Sequence, residues 1–259
     1  VLSDPLRLAI GTLTRIPVPA PRVVDRRIAG RAMLLAPLVG LGLGLAVGVP
    51  AQILANASPA PGLLIAALAI AALAWLTRAL HLDGLADTAD ALGSGRPAAD
   101  ALAIARRSDI GPFGVVTVVL VLLVQVAALA ALLDTGAAGG SLAVALVTAR
   151  LAIAVACVRG VPAARPEGLG ATVAGSVQRI PLTAWIVGWT ILAGAAVGRA
   201  HGLGAAAATA TAVAFGLLAG AWVTRTAVRR FGGVTGDVLG AVTEVATATV
   251  LVILVVLPG

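Results

Sequence analysis

The sequence predicts an all-α, polytopic helical membrane protein, and three observations carry that prediction. Of its 259 residues, 60% are hydrophobic and only 11% are charged, where a soluble domain is typically about 25% charged. The mean hydropathy is +1.07. The apolar residues form continuous runs of about 20, long enough to cross a hydrocarbon core of roughly 30 Å. They do not show the polar–apolar alternation of barrel strands.

Seven spans are expected, at about 32–55, 61–80, 112–133, 140–158, 181–198, 203–223 and 238–257. Residues 1–31 form a basic leader broken by Pro17, Pro19 and Pro21, and read as an interfacial amphipathic helix. It does not read as a cleavable signal, because Arg7 and Arg15 flank only a short apolar run. Residues 1–259 are treated as a single membrane-embedded catalytic domain. Gly40, Gly44 and Gly48 recur every four residues in the first span, a small-residue face suited to close helix packing. Cys157 is alone, so no internal disulfide exists.

All 18 basic residues are arginine, against 11 acids, giving a net charge of +7. The excess is placed by topology and does not call for nucleic acid. Arginines crowd the leader and the connections 81–111, 159–180 and 224–237, whereas Arg199 alone lies on the opposite side and Arg150 within a span. The positive-inside rule then puts the polar face of this multi-pass protein in the cytoplasm. Trp75, Trp185, Trp189 and Trp222 are expected as an interfacial belt at that face.

The first polar connection opens with HLDGLADTAD, residues 81–90. At about 100° per residue, Asp83, Asp87 and Asp90 fall within roughly 60° of one another on a helix. Like charges at that spacing repel, and a bound cation reverses the cost. Carboxylates so placed suit Mg²⁺, which keeps waters and binds substrate phosphates as well. All three are therefore candidate catalytic and metal-ligating residues. His81 reads as an interfacial residue of the substrate site, and a zinc site is disfavoured because His201, the other histidine, is on the far face.

The third connection reads RRFGGVTGD, residues 229–237. Gly232 and Gly233 permit close ligand approach, Arg229 and Arg230 suit phosphate, and Asp237 joins the catalytic candidates. The second connection contributes Arg165 and Glu167 in RPEGLG, and the first contributes Arg106 and Arg107 in RRSDIG. Acids, guanidiniums and glycine-rich backbone on one face fit phosphoryl or phosphodiester transfer at a membrane surface.

Glu244 and Arg150 lie deeper. Glu244 follows Asp237 by seven residues, roughly 10 Å along a helix, and Arg150 is at comparable depth. Charges so placed are functional candidates, and the pair is expected to meet beneath the substrate site, directly or through water. The rival expectation is that Glu244 is itself a metal ligand facing Asp87.

Taken in order, HLDGLADTAD, RRSDIGPFG, RPEGLG and GGVTGDVLGAVTE closely resemble the cobalamin synthase family, the adenosylcobinamide-GDP ribazoletransferases. LTRIPVP and RAMLLAPLVGLGLG resemble that family's opening, so the likeness covers nearly the whole chain. The chain departs from the family where Arg107-Ser108-Asp109-Ile110-Gly111 replaces the usual Asp-Ser-Arg-Ile-Gly, and no individual role is carried over to Arg107 or Asp109. The resemblance implies a Mg²⁺-dependent enzyme of the bacterial inner membrane that joins adenosylcobinamide-GDP to α-ribazole, or its 5′-phosphate, and releases GMP. It implies that Asp83, Asp87 and Asp90 hold metal on the diphosphate, with one of them or Asp237 accepting the hydroxyl proton. It further implies that Arg106, Arg165 and Arg229 or Arg230 hold phosphate. The partners are these substrates and the lipid bilayer, with no nucleic acid, and nothing argues against a homo-oligomer.

Two alternatives are weaker. CDP-alcohol phosphotransferases need Asp-Gly followed by Ala-Arg, whereas Asp83-Gly84-Leu85-Ala86 is followed by Asp87. A transporter would hold its acids near mid-membrane on discontinuous spans, whereas here they lie mostly in loops on one side.

Overall fold

The computed structural model describes residues 2–106 and 109–257. Among the described residues the regular structure is all helix, apart from two isolated parallel bridges in the connections. The helices are α1 (Asp4–Leu13), α2 (Arg26–Ala57), α3 (Gly62–Leu76), α4 (Leu80–Gly93), α5 (Ala98–Ile104) and α6 (Pro112–Asp134). They continue with α7 (Ala138–Ala156), α8 (Leu169–Val173), α9 (Arg179–His201), α10 (Leu203–Phe231) and α11 (Gly236–Val256). Six are long and apolar enough to cross a membrane: α2, α6, α7, α9, α10 and α11. The bent pair α3–α4 is the seventh candidate. The all-α polytopic architecture expected from composition is therefore the one observed.

The core is built around α7, which is buried on every face and packs against α2, α10 and α11. Small residues make this possible. Gly40, Gly44 and Gly48 of α2 face Leu146, Ala143 and Gly139 of α7, as their spacing predicts. A Cβ at Gly44 would stand 2.5 Å from the Ala143 Cα, so any larger side chain would push the two backbones apart. With no hydrophobic drive between helices in lipid, this backbone approach supplies the packing contact.

Two expected boundaries change. The second span ends at Leu76, four residues early, because the chain turns by 89° into α4. Arg78 and Ala79 have φ of 58° and 53°, a left-handed conformation that is uncommon without glycine. The leader holds the turn in place. Arg78 Nη2 donates to the Gly11 carbonyl at 3.0 Å and the Thr12 carbonyl at 3.3 Å, and the Arg15 amide donates to the Leu76 carbonyl at 2.8 Å. The Arg15 guanidinium also stacks 3.7 Å above the Trp75 ring. The leader helix α1 packs on α2 with Ala9 and Leu13 buried, so it belongs to the bundle. The second change is in α10, which runs on to Phe231 and puts Arg225, Arg229 and Arg230 on a helix where a loop was expected. Its apolar and threonine-bearing face stays buried through Ala227, so the helix has no reason to stop earlier. The tryptophan belt is partial: Trp75 and Trp222 are exposed, but Trp189 is buried.

The leader and the three polar connections meet at one end of the bundle, where α4 lies across the helix ends. The short α6–α7 and α9–α10 connections share a cavity with the last turn of α11 at the other end.

Candidate active site

Backbone contacts weld the polar connections together. α4 crosses the start of α11 so closely that a Cβ at Gly84 would stand 2.6 Å from the Asp237 carbonyl oxygen. The same crossing places Gly240 against the backbone of His81. Only a glycine at this point lets α4 lie flat on α11, which brings Asp83 and Asp87 beside Asp237. Thr235 starts α11, its hydroxyl accepting from the Val238 amide at 3.2 Å and donating to Asp237 Oδ2 at 3.2 Å. The second connection joins through a short parallel pairing, with Val234 N donating to the Pro162 carbonyl at 2.9 Å and Ala164 N to the Val234 carbonyl at 3.0 Å.

This pairing delivers Arg165. Its Nη1 lies 3.7 Å from Asp237 Oδ2, and its Nη2 donates to the Leu102 carbonyl of α5 at 2.6 Å. One guanidinium thus ties three connections at a single point. Beside it is a cavity of about 260 Å³ whose walls include Asp83, His81, Arg165, Glu167 and Asp237. Leu13, Met33 and Ile153 supply its apolar floor.

The site carries negative charge that its single ion pair does not balance. Asp87, half-buried one turn beyond Asp83, is pushed up to about 6, first by burial and then by the charges of Asp83, Asp237 and Asp90, with Arg165 opposing. Burial lowers the Arg165 guanidinium from its ordinary value, and Asp237 opposes that shift. His81 is held well below its ordinary value by burial and by the Arg150 charge, so its imidazole is neutral.

Asp90 departs from the expected acidic stripe. Its side chain is buried, Oδ2 accepting from the Gly111 amide at 2.7 Å and Oδ1 from the Gly114 amide at 2.8 Å. It caps α6, which starts with a glycine that has no side chain to do so. A Cβ at Gly114 would stand 2.5 Å from Asp90 Oδ2. The helical arc places Asp90 near Asp83 and Asp87, but α6 docks on its edge and takes both oxygens. Among the described residues no group of three or more His, Cys, Asp or Glu side chains is arranged to hold a metal by itself.

The remaining sequence candidates divide. Glu167 lines the cavity, and Arg106 is exposed at the end of α5, its charge acting on Arg165. Arg107 lies outside the described residues. Arg229 and Arg230 do not line the cavity; both are exposed on the last turn of α10, where Arg229 borders a different hollow with Arg225. Gly232 and Gly233 do not line the cavity, and both shape the backbone. Gly232, at φ 81°, ends α10, and a Cβ at Gly233 would collide with the Ala163–Ala164 peptide.

Arg150 and Glu244 do face one another's surroundings, but not as a direct pair. Among the described residues no ion pair joins them. Glu244 Oε2 accepts from Gln125 Nε2 at 2.8 Å. Among the described residues Arg150, 2% exposed, has no partner for Nε or Nη1, and His81 has none for Nε2. All four side chains line a small cavity of about 30 Å³. That is room for one water, which needs roughly 10–15 Å³ of such space and two to four polar partners. Asp87 is not among its walls. His81 borders both this cavity and the larger one above. Sequence reasoning missed Gln125, Gly111 and Gly114. The Gly-Pro start of α6, lacking a capping side chain, was the available signal for the two glycines.

Residues 5–255 match the family described as cobalamin-5-phosphate synthase. The chain belongs to that family. The resemblance read from the ordered motifs is thereby borne out. Among cobalamin-5-phosphate synthase relatives, a Nocardioides sp. protein named adenosylcobinamide-GDP ribazoletransferase is 45% identical over 252 residues, covering 96% of this chain and 97% of the relative. A Frankia casuarinae protein of the same name is 42% identical, covering 97% and 95%. One from Pseudomonas putida is 38% identical, covering 95% and 96%. No solved structure matches the chain.

Proposed function

We propose that the protein is an adenosylcobinamide-GDP ribazoletransferase, joining adenosylcobinamide-GDP to α-ribazole or its 5′-phosphate with release of GMP. The observation that supports this best is the convergence of Asp83, Arg165, Glu167 and Asp237 on one cavity in a chain whose relatives carry that name over nearly their whole length. The cavity, about 260 Å³, takes the diphosphate and adjoining ribose, while the corrin ring stays outside it.

The reaction forms one bond and breaks one. A ribose hydroxyl oxygen of α-ribazole bonds to the phosphorus nearest the cobinamide. The bond from that phosphorus to the bridging oxygen breaks, and GMP departs with the electron pair. Asp237 takes the hydroxyl proton at Oδ1, the oxygen that neither Thr235 nor Arg165 engages. Arg165 holds the departing phosphate, and Arg106 adds positive charge at the rim.

The residues present fit a magnesium ion. Mg²⁺ is ordinarily held by one or two carboxylates plus substrate phosphates, so a complete protein cage is not required. Burial, and then the charges of Asp83, Asp237 and Asp90, push Asp87 up, and a cation beside it would offset both effects. Asp83 and Asp87 would hold it. When bound it neutralises charge on the diphosphate and on the leaving group. Asp90, engaged by two amides, serves by fixing α6 against α4. The arginine distribution supports a cytoplasmic-membrane protein with this end in the cytoplasm.

Purified protein given labelled adenosylcobinamide-GDP and α-ribazole with Mg²⁺ is expected to yield a nucleotide-loop corrinoid and GMP in equal amounts. Turnover of a CDP-activated alcohol in place of this pair contradicts the assignment.

A further inference from the structure

We propose that a cleft between the start of α2 and the α7–α9 connection is a second anion site, binding a phosphate ester. Arg26, Arg27 and Arg31, from the first two turns of α2, and Arg159, from the connection, line a cleft of about 590 Å³. No carboxylate lines it, and among the described residues none of the four makes an ion pair. Asp25, the adjacent acid, has an oxygen committed to capping α2, accepting from the Ile28 amide at 2.7 Å. Guanidiniums gathered without a counter-charge repel one another, and a phosphate with its multiple acceptor oxygens removes that repulsion. The N-terminal end of α2 adds its own partial positive charge.

The cleft is also shaped around one of these groups. Arg26 Nη2 donates to the Ala174 carbonyl at 3.0 Å. The turn that follows has Gly175 at φ 64°, and a Cβ there would stand 2.7 Å from that same nitrogen. An L side chain at Gly175 would therefore be strained and would also displace the guanidinium. Arg179, outside the lining, donates to the Arg159 carbonyl at 3.5 Å and so braces the connection that carries Arg159.

Two sources supply a phosphate ester here: an anionic lipid headgroup, or the free phosphate of a soluble ligand. The surroundings suit a lipid. Leu34 and Pro181 complete the cleft wall. Leu38 is 43% exposed one turn further along α2, and Ile180 is 85% exposed beside Pro181. A headgroup among the arginines would thus leave its acyl chain against exposed apolar side chains. The cleft shares no lining residue with the cavity between α4 and α11, so the inference stands apart from the proposed reaction.

The test uses the full chain in phosphatidylcholine nanodiscs with tracer spin-labelled phosphatidylglycerol or phosphatidylcholine, and in a second arm detergent-solubilised protein titrated with ribose 5-phosphate. Immobilised phosphatidylglycerol is expected to exceed phosphatidylcholine. Each of Arg27→Gln, Arg31→Gln and Arg159→Gln should weaken that preference by about fivefold, and Lys at the same positions should retain most of it. Ribose 5-phosphate binding that the glutamine changes abolish, without lipid preference, assigns the site to a free phosphate. Equal retention of the two lipids by the unmodified protein, together with no binding of ribose 5-phosphate, overturns the proposal without any variant. So does a lipid or phosphate preference that all three glutamine changes leave intact.

Discussion

The Asp90 carboxylate accepts from the Gly111 amide at 2.7 Å, across 21 residues of sequence. This bond, with its neighbour from Gly114, fastens the third aspartate of the acidic helix to the start of α6. The three aspartates therefore do different work. Asp90→Ala should destabilise the protein, since it leaves two buried amides without an acceptor, at about 1–3 kcal/mol for each unsatisfied group. Asp83→Asn, on an exposed side chain, should leave the melting temperature unchanged. Thermal unfolding in detergent of the two variants side by side checks this, and equal melting temperatures would count against the capping role.

Turnover should rise with pH through about 6, the value to which Asp87 is pushed. Metal binding needs the ionised carboxylate, so the half-maximal Mg²⁺ concentration should fall as pH increases across that value. The sign for stability is the opposite. Between its ordinary 3.8 and about 6, Asp87 in the fold keeps a proton that the unfolded chain has lost. Its contribution therefore favours the fold at low pH and is lost as pH rises through about 6. Magnesium titrations at pH 5, 6 and 7.5 give the test. A pH-independent Mg²⁺ requirement would exclude Asp87 as a ligand.

Glu244→Gln should lower stability as well as activity. The half-buried carboxylate shares a cavity with Arg150, and its removal leaves a guanidinium at 2% exposure without counter-charge. Loss of one member of a buried pair typically costs about 3–5 kcal/mol. Arg150→Met combined with Glu244→Gln should recover part of that loss. If the double variant melts below Glu244→Gln, the two charges are not coupled through their shared cavity.

Single cysteines at residues 95 and 168, introduced after Cys157→Ala, should react with an impermeant reagent from the same side of the membrane. A cysteine at 136 should react from the other side. Gly95, Gly136 and Gly168 are all exposed with no neighbour within 4 Å of an added Cβ, so the label has room; their positive φ strains a cysteine there, and each variant is first matched to the parent for melting temperature. Reaction of 95 and 168 from opposite faces would break the topology.

The spans were legible because apolar runs of bilayer length have few other uses, and the Gly40, Gly44, Gly48 row announced the contact with α7. The acids and Arg165 were legible because charge is costly in so apolar a chain. The bend after Leu76 was not, since Arg78 and Ala79 are unremarkable residues forced into a left-handed turn by contacts to the distant leader. Asp90 shares an arc with Asp83 and Asp87, and helical geometry alone cannot say that α6 docks on its edge. Gly232 and Gly233 looked like a ligand cradle because a helix end and a tight backbone crossing demand the same residue.

The central claim is that the cavity between α4 and α11 carries the transfer, through Asp83, Arg165 and Asp237 in its walls, with Asp87 beside them. It is tested most directly by release of labelled GMP from adenosylcobinamide-GDP by purified unmodified protein, Asp83→Asn and Arg165→Gln, each first matched for melting temperature. The account predicts GMP release dependent on α-ribazole in the unmodified protein. It predicts losses of roughly 100- to 1000-fold in both variants, the usual cost of removing one charge-stabilising contact to a transition state. Undiminished GMP release by folded Asp83→Asn and Arg165→Gln would contradict it.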